Sequence, residues 1–259
     1  ERPLSVTART RLRQYYANAA AVVLPSPRLQ SDLERQLAMA LPHTTAIVTP
    51  TPLLADPAPA FPFHSELRIA HVARLDAAQK GQDVLLGALA RVSWRSQPWR
   101  LDLYGSGPDD SYLRELALLY GIGDHVHFEG HSTDIGKVWK DHQVLVMPSR
   151  LEARGIAITE AMACARPTVG TAVGGIPDSV IDGETGILAA ATTIDAWTDA
   201  LERLWLNREH LARWGKQART LIESMFVDDP VETFIELIDG IARAHPNRIE
   251  QRPTTSVRP

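Results

Sequence analysis

PSRLEARGIAITEAMACARPTVG, from Pro148 to Gly170, is the stretch around which the rest of the chain is organised. It carries two glutamates, Glu152 and Glu160, with seven residues between them. Gly155 opens an apolar run, Ile156, Ala157 and Ile158, which passes into EAMACA, a string of strong helix formers, before the pattern breaks at Pro167. Strand end, short loop and helix start is the local reading. One carboxylate in the loop and a second about one turn into the helix then both face the C-terminal edge of a parallel sheet, where open α/β folds bind ligands.

On both sides of this stretch, strands and helices alternate. From Glu66 the order is LRIAHVA, QDVLLGALARV, WRLDLYG, DSYLRELALLYG, HVHFEG, TDIGKVWKD and VLVMPS, and it continues through RPTVGTAV and ETGIL. Short apolar strands separated by helically spaced segments predict βαβ crossovers and a doubly wound, Rossmann-like α/β parallel sheet over residues 66–225. Past Ala190 the pattern is helical, with Trp197, Leu201, Leu204, Trp205, Leu211, Trp214 and Leu221 in apolar stripes. Residues 1–50 read as a separate part: an Arg-rich helix over 5–20, the short strand AAAVVLP, a helix from about Ser26 to Ala40 and a strand at Thr45 to Thr49. Prolines at 50, 52, 57, 59 and 62 exclude regular structure and mark residues 51–65 as a linker. A last helix is expected within 226–244, and the tail 245–259 has a composition expected to be disordered.

Composition narrows the function classes. The chain has 259 residues, 44% of them hydrophobic, with a net charge of −4 and a pI near 6.2. No whole-chain basic field points to nucleic acid, so anionic ligands must be met by local cations. The single cysteine, Cys164, lies among alanines in a predicted helix and reads as a small buried apolar residue. One thiol makes no internal disulfide, which suits a reducing cytoplasm. No apolar run is long enough to span a bilayer and no signal pattern opens the chain. A cytoplasmic protein is expected, and because Glu1 is not a methionine the sequence reads as a fragment of a longer chain.

Several residues carry chemistry. Arg74 follows the first strand of the sheet, and Lys80 stands six residues later at the expected start of the helix QKGQDVLLGALARV. A strand end facing a helix N-terminus offers unpaired N–H groups, and two cations there form a diphosphate clamp or, in the plainer alternative, two solvated surface charges. YGSGPDD, Tyr104 to Asp110, holds a G-x-G turn that includes Gly105 but lacks the third glycine of the dinucleotide fingerprint and follows the second strand, so it does not specify NAD. His125, His127, Glu129 and His131 alternate along one expected strand face; same-face residues on one strand do not close a tetrahedral metal site, and no metal is expected. Carboxylates grip vicinal hydroxyls well, as on a ribose, which gives Glu152 and Glu160 either a ligand role or that of surface acids.

Taken in order, VARLDAAQKGQDVLLGAL, DLYGSGP, HVHFEG, MPSRLEARGIAITEAMACARPTV and TAVGGIPDSVIDGETGIL resemble the C-terminal domain of retaining GT-B glycosyltransferases of the glycosyltransferase 4 family, over about Glu66 to Glu223. The resemblance implies two Rossmann-like halves facing across a cleft and transfer of a sugar from a nucleotide-sugar donor with retention of configuration. It implies that Arg74 and Lys80 hold the donor diphosphate and stabilise the charge on the leaving nucleotide without a metal or other cofactor. Glu160 would bind the ribose hydroxyls and Glu152 would face the transferred sugar. The backbone N–H groups of Arg154, Gly155 and Ile156 would contact sugar hydroxyls, while Gly130 and His131 would edge the base pocket.

The chain departs from that pattern. Where the family usually has Glu-Gly-Phe-Gly, it reads Glu152, Ala153, Arg154, Gly155, placing a cation where an aromatic ring is common. Ala73 and Ala165 stand at positions usually held by glycine. Residues 1–50 correspond only to a remnant of an acceptor-side domain, so a sugar, lipid or protein acceptor would be bound elsewhere. The competing functional class is a catalytically silent nucleotide-sugar-binding or scaffold module. A further expectation is weak association with a membrane surface, from Trp205, Leu211 and Trp214 interleaved with Arg203, Arg208, Arg213, Lys216 and Arg219, set against the alternative that this helix packs on its own domain.

Overall fold

In the computed structural model, residues 4–41, 44–46, 58–225 and 229–244 are described. The chain forms two units, Glu1–Pro50 with Val227–Pro259, and Thr51–Phe226. In the first, helix α1 (Val6–Ala17), strand β1 (Val22–Leu24), helix α2 (Pro27–Leu37) and strand β2 (Thr44–Ala46) follow in order, and the two strands pair in parallel with Val22 opposite Thr44. Ser5 caps α1 through its side chain, and Arg13 donates from Nε to the carbonyl of Leu37 at 2.6 Å and from Nη2 to that of Ala38 at 2.9 Å. Those bonds satisfy the carbonyls that α2 leaves open at its C-terminus. The end of the expected strand at 47–49, residues 51–57 of the expected linker and the tail 245–259 lie outside the described residues.

The second unit contains strands β3 (Leu67–Val72), β4 (Trp99–Tyr104), β5 (Val126–Gly130), β6 (Val144–Met147), β7 (Thr168–Thr171) and β8 (Gly186–Ala189). They form one sheet in the order β5-β4-β3-β6-β7-β8, with every pair parallel. This is the doubly wound Rossmann-like arrangement read from the alternating segments. Chain order reverses between β3 and β6, and there the loops beyond the carboxyl ends diverge and open a crevice.

Period two explains the two cores. In β3 Ile69 faces one layer and Ala70 the other; in β6 Val144 and Val146 face the first layer, Leu145 and Met147 the second. The first layer is covered by helices α4 (Gln82–Leu89), α6 (Asp110–Leu119) and α10 (Ile194–Leu206). The second is covered by α7 (Ile135–Asp141), α8 (Ile156–Ala163), α9 (Ile176–Ser179) and much of α11 (Leu211–Ser224). Strands buried on both faces read as continuous apolar runs, which is why their segments were visible in the sequence.

Three local expectations change. The helix expected over QKGQDVLLGALARV divides into α3 (Ala77–Lys80), α4 and α5 (Val92–Arg95), because Gly81 adopts a left-handed φ of 69° between the first two. Lys80 therefore ends a four-residue helix instead of starting a long one. His125 lies in a 3-10 turn before β5, where its Nδ1 meets the carbonyl of Trp99 at 2.9 Å, so the histidine row loses its first member. Leu211 and Trp214 are buried in the domain's own core, Trp205 packs against it, and Arg208 stacks on Trp205. The apolar face on which membrane association rested is therefore covered. Among the described residues no helix is long and apolar enough to cross a membrane. The final helix, α12 (Pro230–Ala244), belongs to the first unit.

Candidate active site in the crevice

Four loops at the carboxyl ends of β3, β4, β5 and β6 build the site. The loop after β3 runs alongside the glycine turn after β4: Leu75 N–H donates to Ser106 O at 3.0 Å, Asp109 N–H donates to Leu75 O at 3.1 Å, and Asp109 Oδ2 accepts from Ala77 N–H at 2.7 Å. Gly105 N–H donates to Gly130 O at 2.7 Å, tying the turn to the end of β5. Arg74, Gly105, His131 and Glu160 line one cavity of about 870 Å³, together with Tyr104 and Ser132. Four of the residues singled out in the sequence thus converge from three loops and α8.

The charges in this cavity are left open. Arg74 is exposed, and its guanidinium makes no hydrogen bond or ion pair among the described residues. The carboxylate of Glu160, on the second turn of α8, accepts no hydrogen bond among the described residues, and burial pushes it above the usual range. A half-buried carboxylate without donors is poorly solvated, and it gains most from a ligand that brings hydroxyls.

Lys80 and Glu152 are not on that cavity's lining. They pair with each other, Nζ to Oε2 at 2.7 Å, and both are largely shielded from solvent; Ser149 Oγ also donates to Glu152 Oε2 at 3.3 Å. Two glycines permit this approach. A Cβ at Gly81 would enter the carbonyl of Pro148, and one at Gly174, whose φ is 50°, would enter the carbonyl of Glu152, which also accepts from Gly175 N–H at 3.1 Å. The double glycine downstream is thus the floor against which Glu152 rests.

Arg154, Gly155 and Ile156 form the start of α8. Gly155 is its N-cap with φ 77°, and the N–H groups of Ile156 and Ala157 carry no hydrogen bond among the described residues. Open N–H groups at a helix start favour anionic or oxygen-rich ligands. Burial pulls the Arg154 guanidinium below its ordinary value, with the Asp178 carboxylate acting in the opposite sense. Gly130 is not on the cavity's lining and is tied to the site by its carbonyl, which accepts from Gly105 N–H. Glu129 pairs with Arg100 at 3.0 Å, and among the described residues no group of three His, Cys, Asp or Glu has the arrangement of a metal site.

Residues missed by sequence reasoning support the loops from beneath. His71 is fully buried in β3, with Nδ1 2.8 Å from the carbonyl of Val146, so Nδ1 carries the proton and Nε2 accepts from the Gln82 amide at 3.1 Å. The same amide donates to the carbonyl of Arg74 at 2.8 Å. Burial holds His71 down at about 4, so the ring is neutral near pH 7. Arg150 and Asp83 form a two-bond ion pair at 2.7 and 2.8 Å. A histidine inside an apolar strand and an arginine in a loop carry no sequence signal that separates them from ordinary residues.

With the geometry in place, comparison with known proteins locates the chain. Residues 57–221 match the family model described as glycosyl transferases group 1. The chain is similar to the D-inositol 3-phosphate glycosyltransferase of Gordonia bronchialis, 32% identical over 60% of this chain and 36% of that protein, so it spans about a third of that relative's length. Among solved structures it is similar to the sucrose-phosphate synthase of Thermosynechococcus elongatus, with a TM-score of 0.78, 27% identity, and 93% of this chain and 63% of that one covered. HepE of Anabaena, solved with UDP and glucose, shares the fold at a TM-score of 0.75 and 21% identity, over 91% of this chain and 67% of that one. The family match spans well over half of the sequence, and the chain belongs to the glycosyl transferases group 1 family.

Proposed function

We propose that this chain is mainly the donor-binding half of a retaining GT-B glycosyltransferase, which moves a sugar from a nucleotide-sugar donor to an acceptor bound by another part of the protein. The observation that carries the reading is the cavity in which a cation, Arg74, and a half-buried carboxylate, Glu160, both without a side-chain partner among the described residues, are presented. A nucleoside diphosphate supplies the complement to each: phosphate oxygens for the guanidinium and a vicinal diol for the carboxylate. HepE, whose structure holds UDP and glucose, has the same fold, which supports the donor reading.

In this reading the bond between the anomeric carbon and the diphosphate breaks, and its electron pair goes to the phosphate oxygen. Arg74 and Lys80 stabilise the charge that appears there, which removes the need for a metal. Lys80 must then turn from Glu152 toward the phosphates. Freed from that pair, Glu152 faces the transferred sugar, and the open N–H groups at the start of α8 take its hydroxyls.

A second reading, a module that binds nucleotide sugars without turning them over, draws on the Lys80–Glu152 pair, in which the two groups neutralise each other. Donor hydrolysis by the full-length protein, measured with UDP-, GDP- and ADP-sugars, separates the two. The enzyme reading expects turnover of one donor, with turnover lost and binding partly kept in Lys80→Ala and Glu152→Ala. Unchanged turnover in both variants would remove these roles.

A further inference from the structure

We propose that Arg150 and Asp83 are positioning residues whose ion pair holds Glu152 against Lys80. The proposal rests on the reading of Lys80 and Glu152 as donor-side groups. Lys80 stands three residues before Asp83, in the segment after β3, and Glu152 two residues after Arg150, in the loop after β6. These segments flank the reversal point of the sheet, so no strand pairing extends to the level of the two charged groups.

The brace is made of several bonds at once. Arg150 presents both Nη atoms to the two carboxylate oxygens of Asp83, at 2.7 and 2.8 Å, and Nη1 also donates to the carbonyl of Ala77. The backbone N–H groups of Arg150 and Leu151 donate to the carbonyl of Gln79, at 2.8 and 3.3 Å. One arginine thus grips α3 at Ala77 and Gln79 and α4 at its first turn. Asp83 raises the Arg150 guanidinium above its ordinary value by accepting these bonds.

A single exposed ion pair contributes little because two flexible side chains must be held in one geometry. This pair differs in kind. Its fork geometry fixes orientation as well as distance, and both ends are partly shielded. The backbone bonds to Gln79 bring the loop near α3; the fork sets the angle at which the next residues leave. Lys80 has a long, freely rotating side chain, and its contact with Glu152 persists only if the carboxylate is presented at one place.

The pairing can be read directly by acylating the full chain with an N-hydroxysuccinimide acetate reagent and following each lysine by peptide mass spectrometry. Lys216, exposed on α11, serves as the internal reference. Arg150→Lys keeps the charge and loses the fork, Asp83→Asn keeps the shape and loses the charge, and Glu152→Ala removes the partner of Lys80 outright. The expected result is a rise in Lys80 labelling relative to Lys216, roughly threefold or more, in the first two variants toward the level of the third, as contacting residues that act together are coupled. Circular dichroism at the labelling temperature verifies folding, and Asp83→Asn decides alone where Arg150→Lys does not fold.

An unchanged labelling ratio in folded Asp83→Asn would overturn the proposal, because a pair that only adds stability moves the melting temperature and not the exposure of Lys80. The readout needs no donor. Failure of every sugar nucleotide to bind would therefore refute the donor-site reading while the labelling ratio still decides the brace.

Discussion

Replacing Glu160 by glutamine moves stability and affinity in opposite directions. In the free protein the Glu160 carboxylate is half-buried, accepts no hydrogen bond among the described residues, and is raised by burial alone. A carboxyl whose folded value lies above its unfolded value destabilises the fold once it is ionised. Stability is therefore lower above the folded value than below the unfolded one, and Glu160→Gln removes that cost near pH 7. The ligand-free variant should melt at a higher temperature. Binding loses what the carboxylate supplies to a ribose diol: hydrogen bonds to a charged group contribute about 1.5–3 kcal/mol, and an amide keeps one weaker acceptor oxygen. A loss of ~1.5–3 kcal/mol raises the Kd by roughly 10–150-fold. Calorimetric titration with UDP, GDP and ADP and with their 2′-deoxy analogues measures this, alongside a thermal shift of the free proteins. Wild type should discriminate against the deoxy analogue of the nucleotide it binds best, and Glu160→Gln should not. Equal discrimination by both proteins would refute the placement of the ribose, and a lower melting point for the free variant would refute the claim that this carboxylate is kept at a cost.

Ala165 has a left-handed φ of 57° just past the end of α8, where an L side chain is strained, so Ala165→Gly should raise unfolding stability by up to about 1 kcal/mol in urea denaturation. His71 is held neutral with a folded value near 4 against an ordinary 6.5, so its contribution is complete above pH 6.5 and is lost as pH falls toward 4. The melting temperature of wild type should fall across that window, and His71→Phe, which binds no proton, should show a shallower fall. Arg166 is fully buried with its hydrogen bonds directed to carbonyls, among them those of His142 at 2.8 Å, Cys164 at 2.7 Å and Ala60 at 2.8 Å, with Phe61 beneath the guanidinium. Arg166→Leu strands those acceptors and should destabilise the domain by about 3 kcal/mol or more, each buried acceptor left open costing ~1–3 kcal/mol. Chemical denaturation checks it.

What the sequence disclosed follows from where periodicity carries information. Doubly buried strands leave apolar runs such as VLVM, and helices such as α10 leave stripes at 3.6-residue spacing, so the order of elements was legible. The division of the QKGQDVLLGALARV helix was not, since a glycine within a helical pattern reads the same whether it costs a little propensity or adopts a left-handed φ. Only the proximity of the Pro148 carbonyl, 67 positions away along the chain, shows why Gly81 is needed. Ala165 was recognisable as a departure but not as a strained one, whereas Ala73, the other alanine at a usual glycine position, has no positive φ. The sequence also could not distinguish Arg74 from Lys80, two cations six residues apart: the fold leaves one open in a cavity and closes the other onto Glu152.

That difference bears on how a donor would meet the crevice. An open cation at the rim attracts a diphosphate at once, because no internal partner must be displaced. The paired one engages only after its bond to Glu152 is exchanged for phosphate oxygens, which costs a charge-assisted hydrogen bond and returns a stronger set. On the proposed donor reading that exchange would give binding an order: phosphate on Arg74 and ribose on Glu160 first, Lys80 second, Glu152 released last toward the sugar. A ligand carrying nucleotide but no sugar frees Glu152 with nothing to meet it, so the exchange then leaves a largely shielded carboxylate without its cation. On the proposed donor reading, sugar and diphosphate would thus be coupled through one ion pair, and the proposed brace of Arg150 on Asp83 would set how firmly that pair holds before the donor arrives.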